Sequence, residues 1–397
     1  MSEASTEAAP KRPYIGGQAV LEGVMMRAPN SFAIVVRRRD GSLHVRERRM
    51  PKDDSGPRKV PLLRGVMSLV DSLRLGSEAL RFSADQLEKD LEAEELEQAR
   101  AESKAKKAAK NAGVGSSIVG LVGLLAFVRS ALVAFGMSLF VLSTSDEVPT
   151  PEKKRGGAGM AVPLVLMVLF MWALPQGSAA LLNRGLHLNL EVQSAPFQAI
   201  TGAFKLVIVV GYMMFLRRMR ETRRVFQYHG AEHKTISTYE ANEELTVANA
   251  RAKTTLHPRC GTTFLVMVVL ISILTFTALG SVLPRIHTGN DVLDNVAFFI
   301  VKLPFIPVIA GVTFEIQRVF ARFCTTGPLR ALLWPGFLVQ KVTTIEPDDR
   351  QLEVALASLK ATLFREEGRS GESTDDVRFA SYDAMLTANA LRAARAK

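Results

Sequence analysis

The chain has 397 residues, is 48% hydrophobic and carries a formal charge of +11 at neutral pH, with a sequence pI near 9.8. Its apolar residues gather in uncharged runs such as 156–183 and 260–284, each longer than the ~20 residues a helix needs to cross a bilayer, which excludes an ordinary soluble globule. Two cysteines, Cys260 and Cys324, exclude a disulfide scaffold, and the arginines stand beside apolar runs, as in Leu216–Arg224, so they point to anionic lipid and away from nucleic acid.

Residues 1–12 are small and polar and are expected to form a disordered tail, with no apolar core of a signal peptide in the opening stretch. Phe32–Arg49 reads as a β-hairpin: Asp40-Gly41 is a favoured turn pair, and apolar and polar residues alternate on part of each side. Residues 61–84 place Leu62, Val66, Leu69, Leu73 and Leu80 at helical spacing, interrupted by charges, which predicts an amphipathic helix lying on a membrane or under the hairpin. Together residues 13–85 are read as one N-terminal cytoplasmic unit, and 86–112, rich in Glu, Lys and Ala, as a solvated helix or linker.

Five apolar segments follow within a membrane region spanning 113–330: residues 114–143 with Arg129, 160–183, 196–216 with Lys205, 262–284, and 294–314 with Lys302, Pro304 and Pro307. A charge at the bilayer centre is costly unless paired or snorkelling, so the first segment, with Arg129 in its middle, is the one expected not to cross fully. Arginines at both ends of the connection 217–261 place that loop on the cytoplasmic side. Glu346–Phe364 reads as a cytoplasmic helix with Asp348 or Asp349 as N-cap and a stripe of Leu352, Leu356, Leu359 and Leu363, closing a segment 331–365. Residues 366–397 are read as a flexible basic tail whose last part forms a helix. The fold expected is mainly α: a polytopic helical membrane protein with a small N-terminal β-hairpin unit and a C-terminal cytoplasmic helix.

The chemistry concentrates in Gln227–Ser237, where His229, Glu232 and His233 stand in the order H-x-x-E-H. On a helix, residues four apart share a face, so the imidazoles can hold one zinc ion while Glu232 takes a proton from the water that the metal activates. The bland alternative is a polar histidine pair hydrogen-bonding at a membrane surface, with Gly230 weakening the helix by about 1 kcal/mol. Third donors are His257 and Cys260 in Leu256–Gly261, weighed against a helix-start signal and an ordinary buried thiol, and Glu315, which ends an apolar run and has pairing with Arg318 as its alternative role. The stretch Gly16–Pro29 offers Gly16, Gly17 and Gly23 for tight turns or close approach, with Glu22 and Arg27 pairing or facing the site.

"GGQAVLEGVMMR", "RRVFQYHGAEHKTISTYE", "HPRCGTTFL", "PFIPVIAGVTFEIQR" and "LVQKVTTIEPDDRQLEVALAS" together resemble the bacterial YqhQ-like family over most of residues 13–360. The resemblance implies a multi-pass membrane protein predicted to be a metal-dependent enzyme. It also makes His229, Glu232, His233, His257 and Cys260 parts of family motifs. The chain departs from the family where Glu-Gly-x-x-Arg is expected before the histidine motif: Thr201-Gly202-Ala203-Phe204-Lys205 keeps a cation and lacks the carboxylate. The expectations are therefore a metal-dependent hydrolase in the cell membrane, acting on an amphiphilic or membrane-protein substrate, with membrane lipids as partners and no nucleic acid. The alternative is a non-catalytic membrane scaffold, assembly factor or transporter component, motivated by Arg129, Lys205 and Lys302 in apolar segments.

Overall fold

The computed structural model of the chain describes residues 12–50, 60–109, 170, 173–280, 282–283, 288–323, 328–368 and 376–395. The expected apolar segment 114–143 and half of 160–183 lie outside these residues. In chain order the elements are β1 (Gly16–Val20), β2 (Gly23–Arg27), β3 (Ser31–Arg37), β4 (Leu43–Arg49), α1 (Leu63–Ala109), α2 (Leu174–Gly185), α3 (Ala195–Arg218), α4 (Arg220–Glu240) and α5 (Val247–Arg251). After these come α6 (Gly261–Gly280), α7 (Asp291–Lys302), α8 (Phe305–Phe323), a 3-10 turn (Pro328–Leu333), α9 (Trp334–Thr343), α10 (Asp349–Glu366), β5 (Val377–Phe379) and α11 (Tyr382–Arg395). The chain is thus mainly helical with a small antiparallel sheet. It divides into two units, the first made of residues 1–53, 227–255 and 346–397, the second of 54–226 and 256–345.

The first unit is built on a five-stranded antiparallel sheet in the order β1-β2-β3-β4-β5. The expected hairpin is its centre: β3 pairs with β4 in the register Val35↔Val45, and Asp40 holds the turn by accepting from the Ser42 amide at 2.9 Å. The sheet extends further than that hairpin. Gly16–Arg27 supplies two more strands joined at Leu21-Glu22, with Glu22 at φ 53°, and β5 adds to the far side of β4 from within residues 366–397. Asp376 anchors β5, accepting from Arg46 at 2.9 and 2.7 Å and from Arg48 at 3.2 Å.

Helix α10 covers the sheet. Asp348 is its N-cap and forms a capping box with Gln351, satisfying two N–H groups that the first turn leaves open. The sequence showed a leucine stripe, and Leu352, Leu356 and Leu359 are indeed buried, but so are Ala355, Ala357, Ser358, Ala361 and Thr362 on other faces. The small residues let the backbones approach, and the two hydroxyls donate to sheet carbonyls, Ser358 to Ala33 and Thr362 to Met26, each at 3.0 Å.

The second unit is helical. α3, with 24 residues, and α6, with 20, are long and apolar enough to cross a membrane, and the α7–α8 pair makes a third candidate bent by 47°. The bend falls at Leu303-Pro304, where proline removes a helix hydrogen bond. Val209 and Met213 of α3, Val266 of α6 and Val339 of α9 form one buried cluster, and Gly202 lets Ile273 of α6 come close against α3. Gln340 of α9 ties this region to the chain before α6: its amide donates to the His257 carbonyl at 2.7 Å and to the Thr263 hydroxyl at 2.6 Å, and accepts from the His257 amide at 2.8 Å.

Candidate metal centre

The H-x-x-E-H segment is helical, as its spacing required. α4 runs unbroken through Gly230. The rings of His229 and His233 lie on one face, with centroids 4.4 Å apart and planes inclined at 64°. His233 is buried at 1% exposure, and His229 is half-buried. The Nδ1 atom of His233 sits 2.5 Å from the carbonyl oxygen of Thr255. A carbonyl oxygen only accepts, so Nδ1 carries the proton. That fixes the tautomer and leaves the Nε2 lone pair as the basic one, as in most metal-ligating histidines.

The neighbouring face of α4 belongs to Tyr228 and Glu232, again four residues apart. Glu232 is buried at 5% exposure, about 60° around the helix from His229 and about 100° from His233. Its side chain rests on Gly17 of β1, where an added Cβ would meet Glu232 Cγ and Oε1 at 2.7 Å. Gly17 is therefore the seat of the carboxylate, a close approach that only glycine permits. The Tyr228 hydroxyl donates to Glu22 Oε2 at 3.3 Å, so the β1–β2 turn reaches the same face. On the next face the buried ammonium of Lys234 donates to the Arg251 carbonyl at 2.9 Å and pairs with Glu346 at 2.5 Å. A buried charge needs such partners to persist.

The remaining sequence candidates lie in the second unit. His257 is buried at 4% exposure, with its backbone held by Gln340. Cys260 is buried just before α6, and its carbonyl accepts from Thr263 and Phe264 at the start of that helix. Its sulfur lies 3.1 Å from the Thr262 hydroxyl and accepts from the Thr262 amide at 3.4 Å. A sulfur met by an N–H donor at a helix N-terminus is well suited to act as a metal ligand. Glu315 has a different occupation: both of its oxygens accept from Arg64 of α1, at 2.7 and 2.5 Å. The sequence had offered Arg318 as its partner, and Arg64, 251 positions away, gave no local signal. Thr255 was likewise invisible, since its role rests on a carbonyl that any residue carries. Glu22 and the glycines around it had been singled out, and Gly17 and Glu22 are the two of them that face α4.

The chain is 30% identical to the uncharacterized protein YqhQ of Bacillus subtilis (strain 168) over 357 residues, covering 88% of this chain and 92% of that protein. No solved structure matches the chain. The model of the family described as Protein of unknown function (DUF1385) matches residues 60–365, and the chain belongs to that family.

Proposed function

We propose that this protein is a multi-pass membrane protein of the cell membrane carrying a divalent metal centre on its cytoplasmic side, and that it is a metal-dependent hydrolase of an amphiphilic or membrane-protein substrate. His229 and His233, on one face of α4, are two of the ligands. Two imidazoles one helical turn apart are a donor pair that suits zinc. The observation that carries the reading is the hydrogen bond from His233 Nδ1 to the Thr255 carbonyl, which orients one imidazole as a ligand beside a second on the same helix face. Glu315 is set aside as a ligand because Arg64 occupies both its oxygens.

A divalent metal there supplies a Lewis acid that polarises water and a substrate carbonyl or phosphoryl group. The chain's own residues do the rest. Glu232, seated on Gly17, receives the proton that water loses and returns it to the leaving group. Membrane placement is supported by the length and apolar composition of α3, α6 and the bent α7–α8 pair.

Metal quantification of the purified full-length protein tests the centre. About one metal per chain is expected in the wild type, a loss of nearly all of it in the His229→Ala, His233→Ala double variant, and retention in Glu232→Gln. Equal, sub-stoichiometric zinc in wild type and double variant would end the reading.

A non-catalytic role as a scaffold or transporter component is favoured by one observation. Lys302 is buried at 5% exposure in the second unit, donates to Gln198 Oε1 at 2.7 Å and lies 4.4 Å from the Phe298 ring centroid. That reading gains if Lys302→Met abolishes the cellular role while Glu232→Gln leaves it intact.

A further inference from the structure

Helix α3 ends in Arg217 and Arg218, and Arg220, Arg223 and Arg224 open α4, so five arginines fall within eight residues against one acid, Glu221. Met219 between the helices is extended and caps α3. The junction is held by a cluster of Leu216, Phe226 and Ile345, and the Ile345 amide donates to the Phe226 carbonyl at 3.0 Å. Arg217 has a structural task. It donates to the Val342 carbonyl at 2.7 Å and to the Thr344 carbonyl at 3.3 Å, and also to the Lys341 carbonyl, neutralising the negative end of α9. Arg218, Arg220 and Arg223 are exposed.

Apolar side chains stand open beside these charges. Phe215 precedes the arginines on α3 and is 55% exposed. On α9, Trp334 and Leu338 are exposed to a similar degree, and the Lys341 ammonium lies 6.0 Å from the Trp334 ring centroid. The 24 residues of α3 span about 36 Å at 1.5 Å per residue, against about 30 Å of hydrocarbon, so a bilayer crossed by α3 sets the arginines at the level of the headgroup phosphates.

We propose that Arg218, Arg220 and Arg223 of the α3–α4 junction, with Trp334 and Lys341 of α9, form a binding surface for the headgroups of anionic glycerophospholipids. The inference rests on the membrane placement proposed above. Guanidinium groups bind phosphate oxygens two at a time, and tryptophan beside lysine is the usual composition of a membrane interface. The exposed Phe215 and Leu338 next to the charges suit acyl chains, which free phosphate and nucleic acid lack.

The test has two stages. Carbonate washing of membranes that contain the full chain comes first, and release into the wash defeats the membrane placement itself. The retained protein is then purified and reconstituted with equal phosphatidylglycerol and phosphatidylcholine, and the lipid that stays bound is quantified. About tenfold enrichment of the anionic lipid is expected. It should vanish in the Arg218→Gln, Arg220→Gln, Arg223→Gln variant and largely survive when the same three become Lys, which keeps the charge and controls for folding. A membrane-retained protein with no enrichment, or with equal enrichment in the Gln variant, overturns the lipid surface alone. Loss of the enrichment on adding excess inorganic phosphate assigns the surface to free phosphate, and displacement by single-stranded RNA assigns it to nucleic acid; either result overturns the proposal.

Discussion

Two helices, one from each unit, show how differently the halves of this chain treat their side chains. In α10 of the first unit twelve of 18 residues are buried, Leu356 completely, and even the hydroxyls of Ser358 and Thr362 are matched to sheet carbonyls. In α6 of the second unit Leu274 is 70% exposed, and Val207 of α3 is 68% exposed. A water-soluble helix turns leucine inward, so an apolar helix that turns it outward expects a solvent as apolar as itself. The contrast accords with the membrane placement proposed for α3 and α6, which are long and apolar enough to cross a bilayer.

Core truncation should separate the units most strongly. Leu356→Ala is expected to destabilise the purified protein by about 2–5 kcal/mol, since it leaves a cavity under the sheet. Leu274→Ala, on an open surface, should stay within about 0.5 kcal/mol. Denaturant unfolding in detergent reads both, and similar costs at the two positions would erase the contrast. Gly17→Ala should come next, at about 1–3 kcal/mol, because the new methyl group and the Glu232 side chain compete for one space. A thermal melt unchanged by that substitution would mean Glu232 does not rest on β1.

The smallest effect is a dependence on acid at the β5 anchor. Hydrogen bonds from Arg46, together with its charge and that of Arg48, hold the Asp376 carboxyl below the usual carboxylate range. A lowered folded-state pKa stabilises the chain above the ordinary carboxylate range, and this increment is lost as pH falls through the folded value. Asp376 is partly exposed, so solvent screening keeps the increment below about 1 kcal/mol. Melting temperatures taken from neutral pH down to about pH 3 should show a slightly shallower fall in Asp376→Asn than in the wild type; identical curves would remove the anchor from the account.

Legibility followed the range of the interaction. The β3–β4 hairpin was readable because Asp40-Gly41 is a local turn signal. α10 was readable from Asp348 and its leucines, α6 from uninterrupted apolar length and α3 from an apolar run broken only by Lys205, whereas 294–314 read as one segment and its bend at Pro304 came with the structure. β1, β2 and β5 carried no such mark: Gly-Val-Met-Met-Arg is buried at nearly every position and shows no alternation, and Val377–Phe379 is only 3 residues long. At the candidate centre the sequence supplied the donor atoms and their helical phase, while the groups that orient them came from elsewhere in the chain.

By itself the sequence determined the apolar helices, the histidine pair one helical turn apart and the basic junction after α3, because each depends on residues within a few positions of one another. Only the tertiary structure decided that Thr255 fixes the His233 tautomer, that Gly17 seats Glu232 and that Arg64 claims Glu315. Those outcomes join residues separated by 22 to 251 positions. Contacts across such distances are set by how whole elements dock, which local spacing does not encode.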